Sequence, residues 1–241
     1  MRQSGQHPDL PAAQSFGAEP ATPARLAAVA FDMDGLLVDS EPVWFLAESA
    51  VMARLGGDWG PSDQYALIGG SLAVAVEYLL AKATRPAAPA VVARWLIEIM
   101  VEQVSTKPLA VLPGAASLLA EVQAARLPCA LVTSSVAAVV DAVLARLEVR
   151  FDVVVCGADV ARAKPDPEGY LLAAEKLGAD PQRCIALEDS PNGVAAAEAA
   201  GYRVVAVPSV VPVPDRPGRV VLSTLAGVTL AELRARTKLG G

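Results

Sequence analysis

Four acidic residues occur in two pairs, and each pair directly follows a short apolar run. Asp32 and Asp34 follow the first run, and Glu188 and Asp189 follow a run much later in the chain. Carboxyl groups two residues apart point to the same side of an extended chain. One of them can act as a nucleophile while the other transfers protons. Oxygen ligands from both pairs would also suit a hard divalent cation such as Mg²⁺.

Hydroxyl groups and one amine occur at comparable places in the sequence. Thr133, Ser134 and Ser135 follow the apolar run 129–132, and Lys164 lies shortly before a helical pattern. Hydroxyls and free backbone N–H groups at the start of a helix suit phosphate oxygens, and a lysine supplies a compact positive charge. Together with the acids, these residues predict a phosphoryl-transfer site, with Thr133, Ser134 and Lys164 as the phosphate-binding residues.

Alternating apolar runs and helical patterns predict the elements that would bring these residues together. Short continuous apolar runs are typical of strands buried on both faces of a parallel sheet, and their alternation with helices predicts an α/β fold with a Rossmann-like core. Ligands of such sheets bind beyond the carboxyl ends of the strands. We expect strands at 26–31, 129–132, 153–156, 184–187, 204–207 and, from a weaker pattern, 219–222, and helices at 113–126, 136–147, 167–177 and 191–200.

The segment 42–107 differs from the rest because it has helical apolar spacing and no strand pattern. We predict that it is an α-helical cap domain inserted into a core formed by 25–41 and 108–241. Residues 1–24 carry four prolines among polar and small residues, which predicts a disordered tail. This N-terminal stretch has no basic start followed by an apolar core, so we do not expect a secretory signal.

Composition excludes several classes of function. The net charge is −6 and there is no run of Lys or Arg, so we expect neither nucleic acid nor a membrane as a partner. The single histidine, His7, excludes histidine-dependent triads and histidine-ligated zinc. Three cysteines without CxxC spacing are interpreted as buried thiols of a cytoplasmic protein. The chain is expected to be a monomer that acts on a small phosphorylated metabolite.

Four motifs in this chain resemble those of the haloacid dehalogenase-like hydrolases. The first motif is DMDGLLVDSEP from Asp32, and LVTSS, KPDP and EDSPNG follow in the order of the family. The resemblance covers about residues 26–210, and it is most similar to the β-phosphoglucomutase-like branch, which also contains sugar-phosphate phosphatases with a small helical cap. It implies a phosphatase that depends on Mg²⁺ and hydrolyses a small phosphate monoester of a sugar or polyol.

The same resemblance implies a role for each matching residue. Asp32 would be phosphorylated, and Asp34 would protonate the leaving oxygen and then activate water. Mg²⁺ would be held by Asp32, Asp34 through its backbone carbonyl, and Asp189, with Glu188 as a further ligand or a neighbour of the ligands. Thr133, Ser134 and Lys164 would bind the transferred phosphoryl group. The candidate cap contacts with the substrate are Glu41, Trp44 and Ser71.

Other reactions on this fold remain alternatives. Phosphomutases of the same branch carry a cap histidine twelve residues after the nucleophile, where this chain has Trp44, and a cap arginine beside a serine, where it has Leu72 after Ser71. Both departures disfavour a mutase. A dehalogenase would not need Asp34, and a non-enzymatic binding module would not need the complete set of acids and Lys164.

Overall fold

The computed structural model describes residues 24–241, and these form the α/β fold that the sequence predicts. Six parallel strands make up the main sheet, in the order β5-β4-β1-β6-β7-β8. Their bounds are β1 Ala28–Phe31, β4 Cys129–Val132, β5 Val153–Val155, β6 Cys184–Glu188, β7 Arg203–Ala206 and β8 Val220–Val221. The predicted tail at 1–24, which contains His7, lies outside the described residues apart from its last residue, Ala24.

The central strand β1 is buried on both faces, as its continuous apolar sequence predicts. The helices that cover the sheet are α5 Ala115–Ala124, α6 Ala137–Leu147, α7 Glu168–Leu177, α8 Pro191–Ala199 and α9 Leu230–Thr237. Val29 and Phe31 face one apolar cluster, which includes buried side chains of α5, α6 and α9. Ala28 and Ala30 face a second cluster, which includes Tyr170 of α7 and side chains of α8.

Four consecutive helices between residues 41 and 106 form an inserted helical unit. They are α1 Glu41–Leu55, α2 Pro61–Leu67, α3 Leu72–Lys82 and α4 Pro89–Thr106. Two short strands flank this unit, β2 Val38–Asp39 and β3 Ala110–Val111, and they pair in antiparallel fashion. The chain therefore enters and leaves the helical unit through two adjacent, hydrogen-bonded segments.

The structure departs from the sequence prediction in a few elements. The helices α2 and α9 and the pair β2–β3 were not expected, and the strand expected from 26 begins at Ala28. Strands of two residues and a seven-residue helix contain too few positions for a periodic pattern to show. The three cysteines of the chain are buried free thiols, as expected. Among the helices that the structure describes, none has the length and apolar character needed to cross a lipid bilayer.

Candidate active site

The carboxyl ends of three neighbouring strands bring the predicted site residues together. Phe31, the last residue of β1, is in register with Leu131 of β4 on one side and Leu187 of β6 on the other. The residues that follow each strand therefore lie side by side at one edge of the sheet. Asp32 follows β1, Thr133 follows β4, and Glu188 and Asp189 stand at the end of β6.

Lys164, from the loop between β5 and α7, joins two of these acids. Its Nζ lies 2.6 Å from Asp32 Oδ1 and 2.6 Å from Glu188 Oε1, and it also donates to the backbone carbonyl of Val132 at 2.8 Å. The side chains of Lys164 and Asp32 are each 8% exposed, and that of Glu188 is fully buried. Because these charges are shielded from water, their interaction is much stronger than that of a surface ion pair.

Asp32, Glu188 and Asp189 form a buried cluster of three acids. One carboxylate oxygen of each lies within 4.8 Å of the others. Glu188 Oε1 accepts hydrogen bonds from Lys164 and from the Tyr170 hydroxyl, whereas Glu188 Oε2 is buried without a hydrogen-bond partner among residues 24–241. An unpaired buried carboxylate oxygen is costly. Three oxygen donors at this spacing fit a hard divalent cation such as Mg²⁺.

Burial and charge crowding perturb the ionisation of this cluster. Burial, the largest cause, raises the pKa of Asp32 well above its usual range against the lowering effect of Lys164. Burial and then the neighbouring Glu188 raise the pKa of Asp189 to about 7. Burial alone would lower the pKa of Lys164, but Asp32 and Glu188 outweigh it and raise that pKa. One ammonium thus faces three carboxyl groups, and a divalent cation would offset the excess negative charge.

Two glycines of the sequence motifs leave room for the acids. A Cβ at Gly35 would lie 2.0 Å from Asp189 Oδ2, and a Cβ at Gly193 would lie 1.9 Å from Glu188 Oε2. Gly35 also has a φ of +78°, a conformation that other residues rarely adopt. The glycines in the first and fourth motifs therefore allow these carboxylates to approach the backbone closely.

Asp34 lies beside the cluster, and hydrogen bonds fix both of its carboxylate oxygens. Oδ1 accepts from the hydroxyl of Ser40 and from Trp44 Nε1, the latter at 3.3 Å. Oδ2 accepts from the hydroxyls of Ser135 at 2.8 Å and Thr133 at 3.3 Å. Its side chain is not one of the three clustered acids, and it lines the same pocket as Asp32.

The hydroxyls after β4 differ in their hydrogen bonds. Thr133 Oγ1 accepts from the backbone N–H of Ser135 at 3.0 Å and donates to Asp34. Ser134 Oγ is buried and has no hydrogen-bond partner in the described part of the chain. Both side chains line the same pocket as Asp32 and Lys164. A phosphoryl oxygen placed there would satisfy the hydroxyl of Ser134.

The inserted helices supply the opposite wall of this pocket. All three predicted cap contacts line it, and so does the neighbouring Gln64. Glu41 accepts a hydrogen bond from Gln64 at 3.0 Å, Trp44 donates to Asp34, and the hydroxyl of Ser71 caps α3 by accepting from the N–H of Val74 at 3.4 Å. The described residues that line the pocket are Asp32, Asp34, Glu41, Trp44, Glu48, Gln64, Leu67, Ile68, Gly69, Gly70, Ser71, Leu72, Ala75, Thr133, Ser134, Ser135, Lys164, Asp189 and Ser190.

Several residues of the site were not assigned a role from the sequence. Ser40 and Ser135 lie within the sequence motifs, and this position is the signal that could have indicated a role for them. Their hydrogen bonds to Asp34 are not predictable from the motifs. Tyr170 contacts Glu188, and Ser209 donates to Asp189 Oδ2 at 2.6 Å. Neither of the last two residues belongs to a motif, so only the folded chain reveals them.

Known proteins resemble this chain in sequence and in structure. Hexitol phosphatase B of Escherichia coli strain K12 is 36% identical over 224 residues, covering 91% of this chain and 99% of that protein. The fructose-1-phosphate phosphatase YqaB of the same strain is 32% identical over 187 residues, covering 76% of this chain and 97% of that protein. The crystal structure of CbbY from Rhodobacter sphaeroides in complex with phosphate matches with a TM-score of 0.79 at 30% identity, covering 86% of this chain and 99% of that one.

A family model assigns the chain. The model described as haloacid dehalogenase-like hydrolase matches residues 26–201, which contain all four motifs. The family expected from those motifs is therefore confirmed. The chain belongs to the haloacid dehalogenase-like hydrolases, and it is a phosphoric monoester hydrolase.

Proposed function

We propose that this hydrolase is a phosphatase that depends on Mg²⁺ and cleaves a phosphate monoester of a sugar or polyol through an aspartyl-phosphate on Asp32. The observation that carries the proposal is the position of Asp32, which shares a pocket with Asp34 and Lys164 and forms a cluster with two further acids. The named activities of the hexitol and fructose-1-phosphate phosphatases support the sugar or polyol class.

In the first step, a carboxylate oxygen of Asp32 attacks phosphorus and the bond from phosphorus to the ester oxygen breaks. Lys164 lies 2.6 Å from Asp32 Oδ1, so it is placed to orient the nucleophile and attract the anionic phosphoryl group. In its carboxylic acid form, Asp34 gives a proton to the leaving oxygen and becomes a carboxylate. The four hydrogen bonds to its carboxylate hold it in one orientation, and such positioning accounts for a large part of the rate enhancement.

In the second step, water attacks the phosphorus of the aspartyl-phosphate. Asp34, now a carboxylate, takes a proton from this water, and the bond between phosphorus and Asp32 breaks to release inorganic phosphate. The residues that would hold Mg²⁺ are Asp32, Glu188, Asp189 and the backbone carbonyl of Asp34. When bound, the cation would reduce the repulsion between the anionic phosphate and the carboxylates.

We further propose that the segment 42–107 acts as a cap over a core formed by 25–41 and 108–241. Its side chains line the pocket opposite the acids, which is the position expected for residues that recognise the leaving group and exclude water. A cytoplasmic location and a monomeric state also remain proposals. The three buried free thiols are consistent with the first of these.

The phosphomutase alternative is less well supported. In place of the mutase histidine the chain has Trp44, whose Nε1 donates to Asp34. An indole N–H is a donor only and does not exchange protons near neutral pH, unlike an imidazole. Among the described residues that line the pocket, the single cation is Lys164, so the cap wall offers no positive charge for the second phosphate of a bisphosphate.

The nucleophile is tested by Asp32→Asn, with Asp215→Asn on an exposed loop as the matched control. We expect the wild type to release phosphate from a hexitol phosphate when Mg²⁺ is present and to lose this activity in EDTA. Asp32→Asn should lower turnover by about a thousandfold or more, because an amide is a poor nucleophile. Undiminished turnover in that variant would reject the assignment. Accumulation of hexose 6-phosphate from a β-hexose 1-phosphate would indicate a mutase instead.

A further inference from the structure

One face of α1 forms part of the pocket wall opposite the acids. Glu41, Trp44 and Glu48 are spaced by three and four residues, so they lie on the same side of the helix. All three line the pocket that contains Asp32 and Lys164. Trp44 contacts Asp34, and Glu48 lies one helical turn further along the chain. Glu48 is therefore placed beside the part of the substrate that extends away from the phosphate.

The carboxyl group of Glu48 is buried in this wall and is not fully paired. The residue is 3% exposed, and its Oε2 has no hydrogen-bond partner among residues 24–241. Glu41, on the same face, accepts from Gln64. A buried polar atom without a partner costs roughly 1–3 kcal/mol, so proteins keep few of them. A polar group of a bound ligand would remove this cost.

The chemistry of the pocket indicates which ligand group is suitable. Burial and then the nearby Glu41 raise the pKa of Glu48 to about 8, so its carboxyl is mostly protonated at neutral pH. A protonated carboxyl both donates and accepts hydrogen bonds, and so does a hydroxyl group. A second phosphate or a carboxylate would instead be desolvated beside Glu41 and Glu48, with no cation on the described cap wall to compensate.

We propose that Glu48 is a specificity-determining residue that hydrogen-bonds a hydroxyl of the leaving group. With Glu41, it makes the pocket select phosphate monoesters of neutral polyhydroxy compounds over esters that carry a second anionic group. The inference rests on the proposed phosphatase function. It adds that Glu48 recognises the leaving group and that leaving groups with a second anionic group are rejected.

The test compares three esters: a hexitol phosphate, a hexose bisphosphate, and an aryl phosphate whose leaving group has no aliphatic hydroxyl. The enzyme is assayed with Mg²⁺ as the wild type, as Glu48→Met, and as Glu77→Met, a control at an exposed position of α3. We expect kcat/KM of the wild type to favour the hexitol phosphate over the bisphosphate by about tenfold or more. In Glu48→Met, the ratio of kcat/KM for the hexitol and aryl esters should fall by about tenfold, whereas Glu77→Met should keep it.

Two results would overturn the inference. One is an unchanged ratio in a folded Glu48→Met, because a purely structural role would affect both esters equally. The other is a wild type that hydrolyses the bisphosphate as efficiently as the hexitol phosphate, a measurement that needs no variant. If the wild type released phosphate from none of the three esters, that result would contradict the proposed function, and it would contradict the inference as well.

Discussion

The buried carboxyl of Glu48 predicts how the stability of the protein depends on pH. Its pKa is raised from the ordinary 4.5 to about 8, first by burial and then by Glu41. Between these two values, the folded state retains a proton that the unfolded state releases. The unfolded state therefore binds fewer protons, so the free energy of unfolding falls as the pH rises. Replacing Glu48 with glutamine keeps the shape of the side chain and removes this titration.

The size of the effect follows from the two pKa values. Each pH unit within the window changes the free energy of unfolding by about 1.4 kcal/mol for one proton. From about pH 5.5 to 7.5, the wild type should lose roughly 2–3 kcal/mol through Glu48, after allowance for its partial ionisation near the upper end. Glu48→Gln should not show this loss of free energy of unfolding. Its free energy of unfolding should therefore rise relative to the wild type by roughly 2–3 kcal/mol over that interval.

The assay is urea denaturation followed by circular dichroism at several pH values. EDTA is included so that bound metal does not contribute to stability. Glu77→Gln is the matched control, because it makes the same change at an exposed position outside the pocket wall. Parallel stability curves for the wild type and Glu48→Gln would refute the reasoning, since they would mean that Glu48 has the same pKa in both states.

Two further predictions concern the acidic cluster. Gly193→Ala should lower phosphatase activity by about tenfold or more, because its Cβ would lie 1.9 Å from Glu188 Oε2 and displace that carboxylate. Gly60→Ala is the control and should keep the activity, because its Cβ would lie 4.0 Å from the nearest atom. Wild-type kcat in Gly193→Ala would show that the position of Glu188 is not critical. Mg²⁺ should raise the Tm of the wild type in a thermal shift assay, and by less in Asp189→Asn, because a ligand stabilises the state that binds it; equal shifts would place the bound cation elsewhere.

The strand ends and the motifs could be predicted from sequence because their causes are local. The run before Asp32 is apolar at every position and ends abruptly, which is typical of a central parallel strand. The rule that ligands bind beyond the carboxyl ends of such strands then predicts that Asp32, Thr133 and Asp189 meet. The registers of β1 with β4 and β6 bring the carboxyl ends of those strands to one edge.

Short or weakly patterned elements could not be predicted in the same way. The helix α2 has seven residues, and α9 presents only a narrow buried side that includes Leu230 and Leu233. The pairing of β2 with β3 involves two residues on each strand. These elements form because the rest of the fold brings their backbones into contact, and propensity alone does not reveal them.

The sequence by itself determined the family, the α/β core and the identity of the acids, because these depend on residue type and on spacing along the chain. Only the tertiary structure decided which groups hold those acids, such as Tyr170 on Glu188 and Ser209 on Asp189. It also decided that Glu48 is buried in the pocket wall without a full set of partners. The physical reason is that hydrogen bonds and desolvation depend on distances between atoms far apart in the chain, and these distances exist only after the helices have packed on the sheet.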